Sequence, residues 1–149
     1  MIDVINIDVW QNSIVFMVEP TLKEFDCFYY DNTRRITDDE YKEMREDIED
    51  PHSCMGFTML VSDGGLVIYL RDAFTFLYSV HEIFHAINKM LLKRGVHIDE
   101  DAEPWAYTIG LVTDWYVKWI CKEKKLLTFV PVDMVKPEYL KQINYKEDG

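Results

Sequence analysis

A chain of 149 residues suits one hydrophobic core, and 48 % hydrophobic with 14 % aromatic residues is the profile of a packed fold, so a single domain over residues 1–149 is expected. A formal net charge of -11, with Lys122-Glu123-Lys124-Lys125 as the nearest approach to a basic run, argues against nucleic acid as a partner, because phosphate backbones are held by concentrated positive charge. Cys27, Cys54 and Cys121 are odd in number and lack CxxC spacing, no stretch without charge approaches a spanning length, and Met1 to Asn6 has no leader pattern; free thiols, no membrane and a reducing, cytoplasmic setting are the expectations.

The first thirty residues read as strand material, with Ile5, Ile7 and Val9 alternating with Asn6 and Asp8, and a β-prone run over residues 13–18 closed by Glu19-Pro20. Thr37-Asp38-Asp39-Glu40 has the capping-box form, and Tyr41, Met44 and Ile48 then recur at helical spacing until Pro51, which describes a surface helix with a thin apolar stripe. Residues 56–61 and 66–70 flank Ser62-Asp63-Gly64-Gly65 and read as a β-hairpin. From 73 to 94 the period becomes helical, with Leu77, Val80, Phe84, Ile87 and Leu91 as the expected core stripe and Gly95 placed to end it. A second long helix, from 102 or 104 to 122, carries Trp105, Ile109, Val112, Tyr116 and Trp119, and an irregular tail with Pro131 and Pro137 follows.

Within the first of these long helices lies His81-Glu82-Ile83-Phe84-His85, an HExxH pentapeptide. Residues four apart stand one above the other on a helix face, so both imidazoles can reach one ion, and Glu82, turned about 100° from His81, can act as general base on a zinc-activated water without binding the metal. Zinc suits imidazole ligands and, in a catalytic site, keeps a position open, so one Zn²⁺ per chain is expected. The competing reading is accidental: two core histidines and a surface glutamate that share a helix. A third ligand must come from elsewhere, and His97-Ile98-Asp99-Glu100-Asp101-Ala102-Glu103 offers several acids; the metzincin extension is absent, because Asn88 and Leu91 occupy its glycine and histidine positions. Pro104 disfavours α conformation at Glu103, which keeps Glu100 and Asp101 open as alternatives to it.

The pentapeptide followed by Glu103-Pro104-Trp105-Ala106-Tyr107-Thr108-Ile109-Gly110 resembles the small minimal zincins of phages and prophages, whose second helix carries an E-x-x-A-Y-x-x-G pattern. The resemblance covers residues 78–116, about a quarter of the chain. It implies that His81, His85 and Glu103 are the metal ligands, and that the chain is a zinc metallopeptidase acting on peptide or protein. A more distant likeness is to the repressor-cleaving metalloproteases of mobile elements.

Tyr107, one turn after Glu103, could hydrogen-bond that carboxylate or stabilise an oxyanion, and stands with Glu82 as a catalytic candidate; its alternative role is packing. Gly110 suggests close approach of the two long helices, while Asp114 and Asn88 are undecided between support of a ligand and ordinary solvation. Residues 66–70 fit either the substrate-binding edge strand of a zincin or a core strand. The expected whole is an α+β, zincin-like domain: an antiparallel or mixed N-terminal sheet with a surface helix, then two core helices that carry the metal site. Two rivals stand beside it. One is a non-catalytic assembly protein whose zinc is closed by a fourth ligand such as His97 or Asp101, and the other is a metal-free interaction protein docking through Trp105 to Trp119.

Overall fold

The computed structural model describes residues 1–32, 36–62 and 64–125, so the expectation of an irregular tail around Pro131 and Pro137 lies outside the described residues. The chain divides into two compact units, Met1–Trp115 and Tyr116–Gly149. The fold is α+β, with a four-stranded mixed sheet and four α-helices among the described residues.

β1 (Ile2–Ile7) and β2 (Asn12–Val18) pair antiparallel across a short 3-10 turn at Asp8–Trp10, closed by Gln11 at φ 47°. The chain then forms α1 (Leu22–Asp31), where the sequence reads as strand material. Thr21 accepts from the Glu24 backbone N–H at 3.1 Å while Glu24 Oε2 accepts from the Thr21 N–H at 2.8 Å, a capping box of the same T-x-x-E form as the one recognised at Thr37. The β-prone aromatics Phe25, Phe28, Tyr29 and Tyr30 masked that signal; tertiary burial of Phe25 overrides their strand propensity. α2 (Asp38–Glu49) begins at its own capping box, Thr37 with Glu40, and buries Met44 and Ile48 as its spacing implies.

β3 (Gly56–Leu60) and β4 (Leu66–Leu70) form the expected hairpin, and the sheet order is β1-β2-β4-β3. β4 runs parallel to β2, Phe16 opposite Ile68, and antiparallel to β3, so it is central and buried along its whole length. Among the described residues the strand with an unpaired side next to the motif helix is therefore β3, not residues 66–70. Alternation sorts the strand side chains into two layers. Met17, Val67 and Tyr69, with Phe57 and Met59 beside them, pack on Phe25 of α1 and on Met44 and Ile48 of α2. Burying Phe25 or Met44 completely contributes about 1.5–3 kcal/mol each. On the opposite face of β3, Gly56 and Thr58 meet α3 (Phe76–Leu92).

The buried stripe of α3 is Ser79, Glu82, Ile83, Ala86, Ile87, Met90 and Leu91. Ile87 and Leu91 are core as expected, whereas Leu77, Val80 and Phe84 are 75 %, 44 % and 42 % exposed. Both stripes have the period of a helix; the sheet takes the one whose small residues, Ser79 and Ala86, allow close approach. Gly95, at φ 73°, ends the helix: its N–H donates to Leu92 O at 2.9 Å and that of Val96 to Leu91 O at 3.0 Å, the Schellman pattern. α4 (Glu103–Glu123) follows after a turn in which Glu100 and Asp101 both donate to His97 O. Trp105 and Val112 are buried, and in the second unit so are Tyr116 and Trp119, as their spacing implies. Among the described residues no helix is long and apolar enough to cross a membrane, and the three cysteines are free.

Candidate metal centre

α3 carries His81 and His85 one turn apart on its solvent side, and their imidazoles converge edge to face, with Nε2 3.0 Å from Nε2. Two nitrogens each about 2.0–2.1 Å from one zinc at a tetrahedral angle stand about 3.3 Å apart. The pair is thus within a few tenths of an ångström of the separation that a shared ion requires.

Glu82 lies about 100° round the helix from His81, on the flank where solvent face meets core, and is only 7 % exposed. A buried carboxylate needs a donor. Thr58 of β3 supplies it: its hydroxyl lies 2.7 Å from Glu82 Oε2 and 2.9 Å from the Glu82 carbonyl oxygen. Gly56, two residues earlier on the same face of β3, leaves room for this side chain, since a Cβ there would come within 3.2 Å of Glu82 Cγ and 2.9 Å of Tyr69 O. The accidental reading of the motif, core histidines with a surface glutamate, is inverted in this arrangement: His81 is exposed, His85 half-buried and Glu82 buried.

Glu103 is the first residue of α4 and exposed, so Pro104 occupies the opening turn, where a missing N–H costs no helical bond. Its backbone N–H donates to Asp101 Oδ1 at 3.1 Å, which gives Asp101 the role of holding the helix start. Glu100 and Asp101 are exposed as well. Among the described residues no cluster of three or more His, Cys, Asp or Glu is gathered, so the two imidazoles are brought together and the acids of the 97–103 segment stand apart from them. The start of α4 is nonetheless tied to the motif, because the Trp105 ring packs 5.9 Å from that of Phe84, the neighbour of His85.

No protein-family model, curated protein or solved structure matches the chain.

Tyr107 is 62 % exposed, and Gly110 faces open space, where an added Cβ would meet nothing within 4 Å. Close helix approach therefore does not explain Gly110. Asp114 is exposed and Asn88 half-buried. The histidine pair lies at one end of a shallow, wide-open groove along α3, about 650 Å³ of space bordered among the described residues by Phe76, Leu77, Val80 and Phe84 of the same helix. An equally large cavity near Lys93 and Arg94 is lined by polar groups and contains none of the motif residues, so size does not mark the site; the paired imidazoles do. Thr58 and the groove escaped the sequence reading. Thr58 reads as an ordinary strand residue, and nothing local in the chain says that a strand residue 24 positions away will meet Glu82.

The donor set fits zinc in part: two imidazoles stand at ligand separation with a carboxylate on the adjoining flank, while no third donor is gathered with them among the described residues.

Proposed function

We propose that the chain is a zinc-dependent peptidase of the zincin type, in which His81, His85 and Glu103 hold the metal and Glu82 is the general base. The observation that carries this reading is the convergence of the two imidazoles with Glu82 set on the adjoining flank, against an edge strand. Zinc, when bound, supplies a Lewis acid that polarises a carbonyl and eases deprotonation of water. Glu82 accepts the proton of the attacking water and returns it to the leaving amine. Tyr107, on the same helix as Glu103 and exposed, is the candidate donor to the developing oxyanion. β3 offers an extended peptide a strand edge to pair with, and the groove walls favour an apolar side chain beside the scissile bond.

The test is Glu82→Gln, which retains size and removes the carboxylate. Wild type and variant, both zinc-loaded, are incubated with a proteome-derived peptide library and the cleaved bonds read by mass spectrometry. Cleavage by wild type, enriched for apolar residues next to the broken bond and reduced about two to four orders of magnitude in the variant, is the expected result. Equal cleavage by both rejects Glu82 as the base.

The exposed apolar side chains of α3 favour one other reading, a zinc-stabilised binding or assembly protein whose partner covers Phe76 and Leu77. A metal coordinated by four protein groups, with no exchangeable position, decides for it.

A further inference from the structure

We propose that Thr58 is a positioning residue, which fixes the Glu82 carboxylate so that Oε2 is held by the strand and Oε1 is left to take the proton; this rests on the peptidase reading above. The Thr58 hydroxyl lies within reach of two acceptors on one residue, 2.7 Å from Oε2 and 2.9 Å from the backbone oxygen of Glu82. A hydroxyl has one proton, so the two acceptors compete for it, and the shorter contact belongs to the carboxylate. Because Thr58 is carried by β3, which meets α3 at Gly56 as well, the carboxylate that the hydroxyl binds is held where the sheet sets it. Gly56 completes the seat by admitting Cγ where any Cβ would crowd it. At 7 % exposure Glu82 has little water to replace a lost donor.

β3 thus has two jobs on its two sides. Its outer edge pairs with no other strand among the described residues, and its α3-facing side chains set the base. A substrate strand that pairs with β3 is consequently placed relative to the same element that holds Glu82, which aligns base and scissile bond through one rigid sheet.

Thr58→Val keeps the branched shape and removes the hydroxyl, whereas Thr58→Ser keeps the hydroxyl. Two readouts are taken on the full chain. The first is a double-mutant cycle of Thr58→Val with Glu82→Ala, read as denaturation midpoints without metal; a real contact makes the two shifts non-additive. The second is hydrolysis of the proteome-derived library, and then of one peptide cleaved from it, by zinc-loaded proteins. Loss of a group that orients a reacting residue typically costs about 10–100-fold. Thr58→Val should therefore lose about that factor in kcat with KM changed less than about twofold, bound zinc unchanged, and Thr58→Ser should recover to within about threefold of wild type. Additive midpoints, wild-type kcat in Thr58→Val, or equal impairment of the Val and Ser variants overturns the proposal and leaves the peptidase reading intact. If zinc-loaded wild type cleaves nothing while the cycle remains non-additive, the peptidase reading falls, and Thr58 is reduced to the structural donor of a buried glutamate.

Discussion

If His81 and His85 share an ion, zinc must stabilise the fold, and by an amount that can be worked out. A ligand that binds only the native state at 100 times its dissociation constant adds about 2.7 kcal/mol. For a chain of 149 residues each kcal/mol raises Tm by roughly 2–4 °C, so saturating zinc should raise it by roughly 5–11 °C. The imidazoles themselves need little rearrangement, because the nitrogens already stand 3.0 Å apart, against about 3.3 Å for two ligands of one tetrahedral zinc; the third ligand has to be brought in, which lowers the rise. The assay is calorimetry with and without zinc on wild type, His81→Ala, His85→Ala, Glu103→Ala, Glu100→Ala and Asp101→Ala. Either histidine variant should lose nearly the whole zinc-induced rise. Glu103→Ala should lose more of it than Glu100→Ala or Asp101→Ala, because Asp101 is occupied in holding the start of α4 through the Glu103 N–H. An undiminished rise in the double variant His81→Ala with His85→Ala would refute the site, since the metal would then be bound elsewhere. A rise lost equally in all three acid variants would refute Glu103 as the particular third ligand.

Two glycines, one within α4 and one just beyond the end of α3, should respond in opposite directions. Gly110→Ala, with open space at its Cβ position, should raise Tm by about 2–4 °C for the roughly 1 kcal/mol of helix propensity gained, whereas Gly95→Ala, at φ 73°, should lose about 1–2 kcal/mol, both read by thermal unfolding. Tyr29 donates to the Asp38 carboxylate, which raises its pKa from 10.0 to about 12. The pKa is higher in the folded state, so the contribution to stability is complete below pH 10.0 and is lost as pH rises to about 12; Asp38→Asn should return the tyrosinate absorbance titration toward 10.0, and an unmoved titration refutes the contact.

How much of this was legible in the chain depends on how far apart the interacting residues lie. The helix of Thr37, the hairpin around Gly64, the stop at Gly95 and the imidazole pair are set by residues within a few positions of one another, and each is where the spacing puts it. α1 was equally local, yet its Thr21–Glu24 box lost to the strand propensity of the aromatics that follow, a conflict settled only by burial of Phe25. Sheet order could not be read, since the parallel pairing of Phe16 with Ile68 joins residues with two helices and a strand between them. The core stripe of α3 was misassigned for a related reason. Leu77, Val80 and Phe84 have the same period as Ile83, Ala86 and Ile87, and hydrophobicity alone prefers the bulkier set; the choice is made by what the sheet presents, namely Gly56 and Thr58.

That choice is also what gives the motif its chemistry. Rotation of α3 so that Leu77, Val80 and Phe84 faced the sheet would carry Glu82 away from β3 and bring His81 toward the core, where a metal could not reach it. Seating the helix on Ile83, Ala86 and Ile87 instead turns His81 and His85 outward together, because a spacing of four keeps them on one face. The same rotation holds Glu82 on the boundary, one step round from the first imidazole and within 2.7 Å of a strand hydroxyl. Leu77 is thereby left largely exposed beside the histidines and Val80 and Phe84 about half exposed, which forgoes part of the roughly 1.5–3 kcal/mol that full burial of such a side chain contributes. A helix chosen for stability alone would bury them. Their exposure at the one place where two imidazoles converge follows if that groove is where a substrate side chain or a binding partner sits, and replacing Leu77 by Asp separates this from indifferent exposure: binding or cleavage should fall while Tm stays within about 2 °C, as for a surface change of less than about 0.5 kcal/mol.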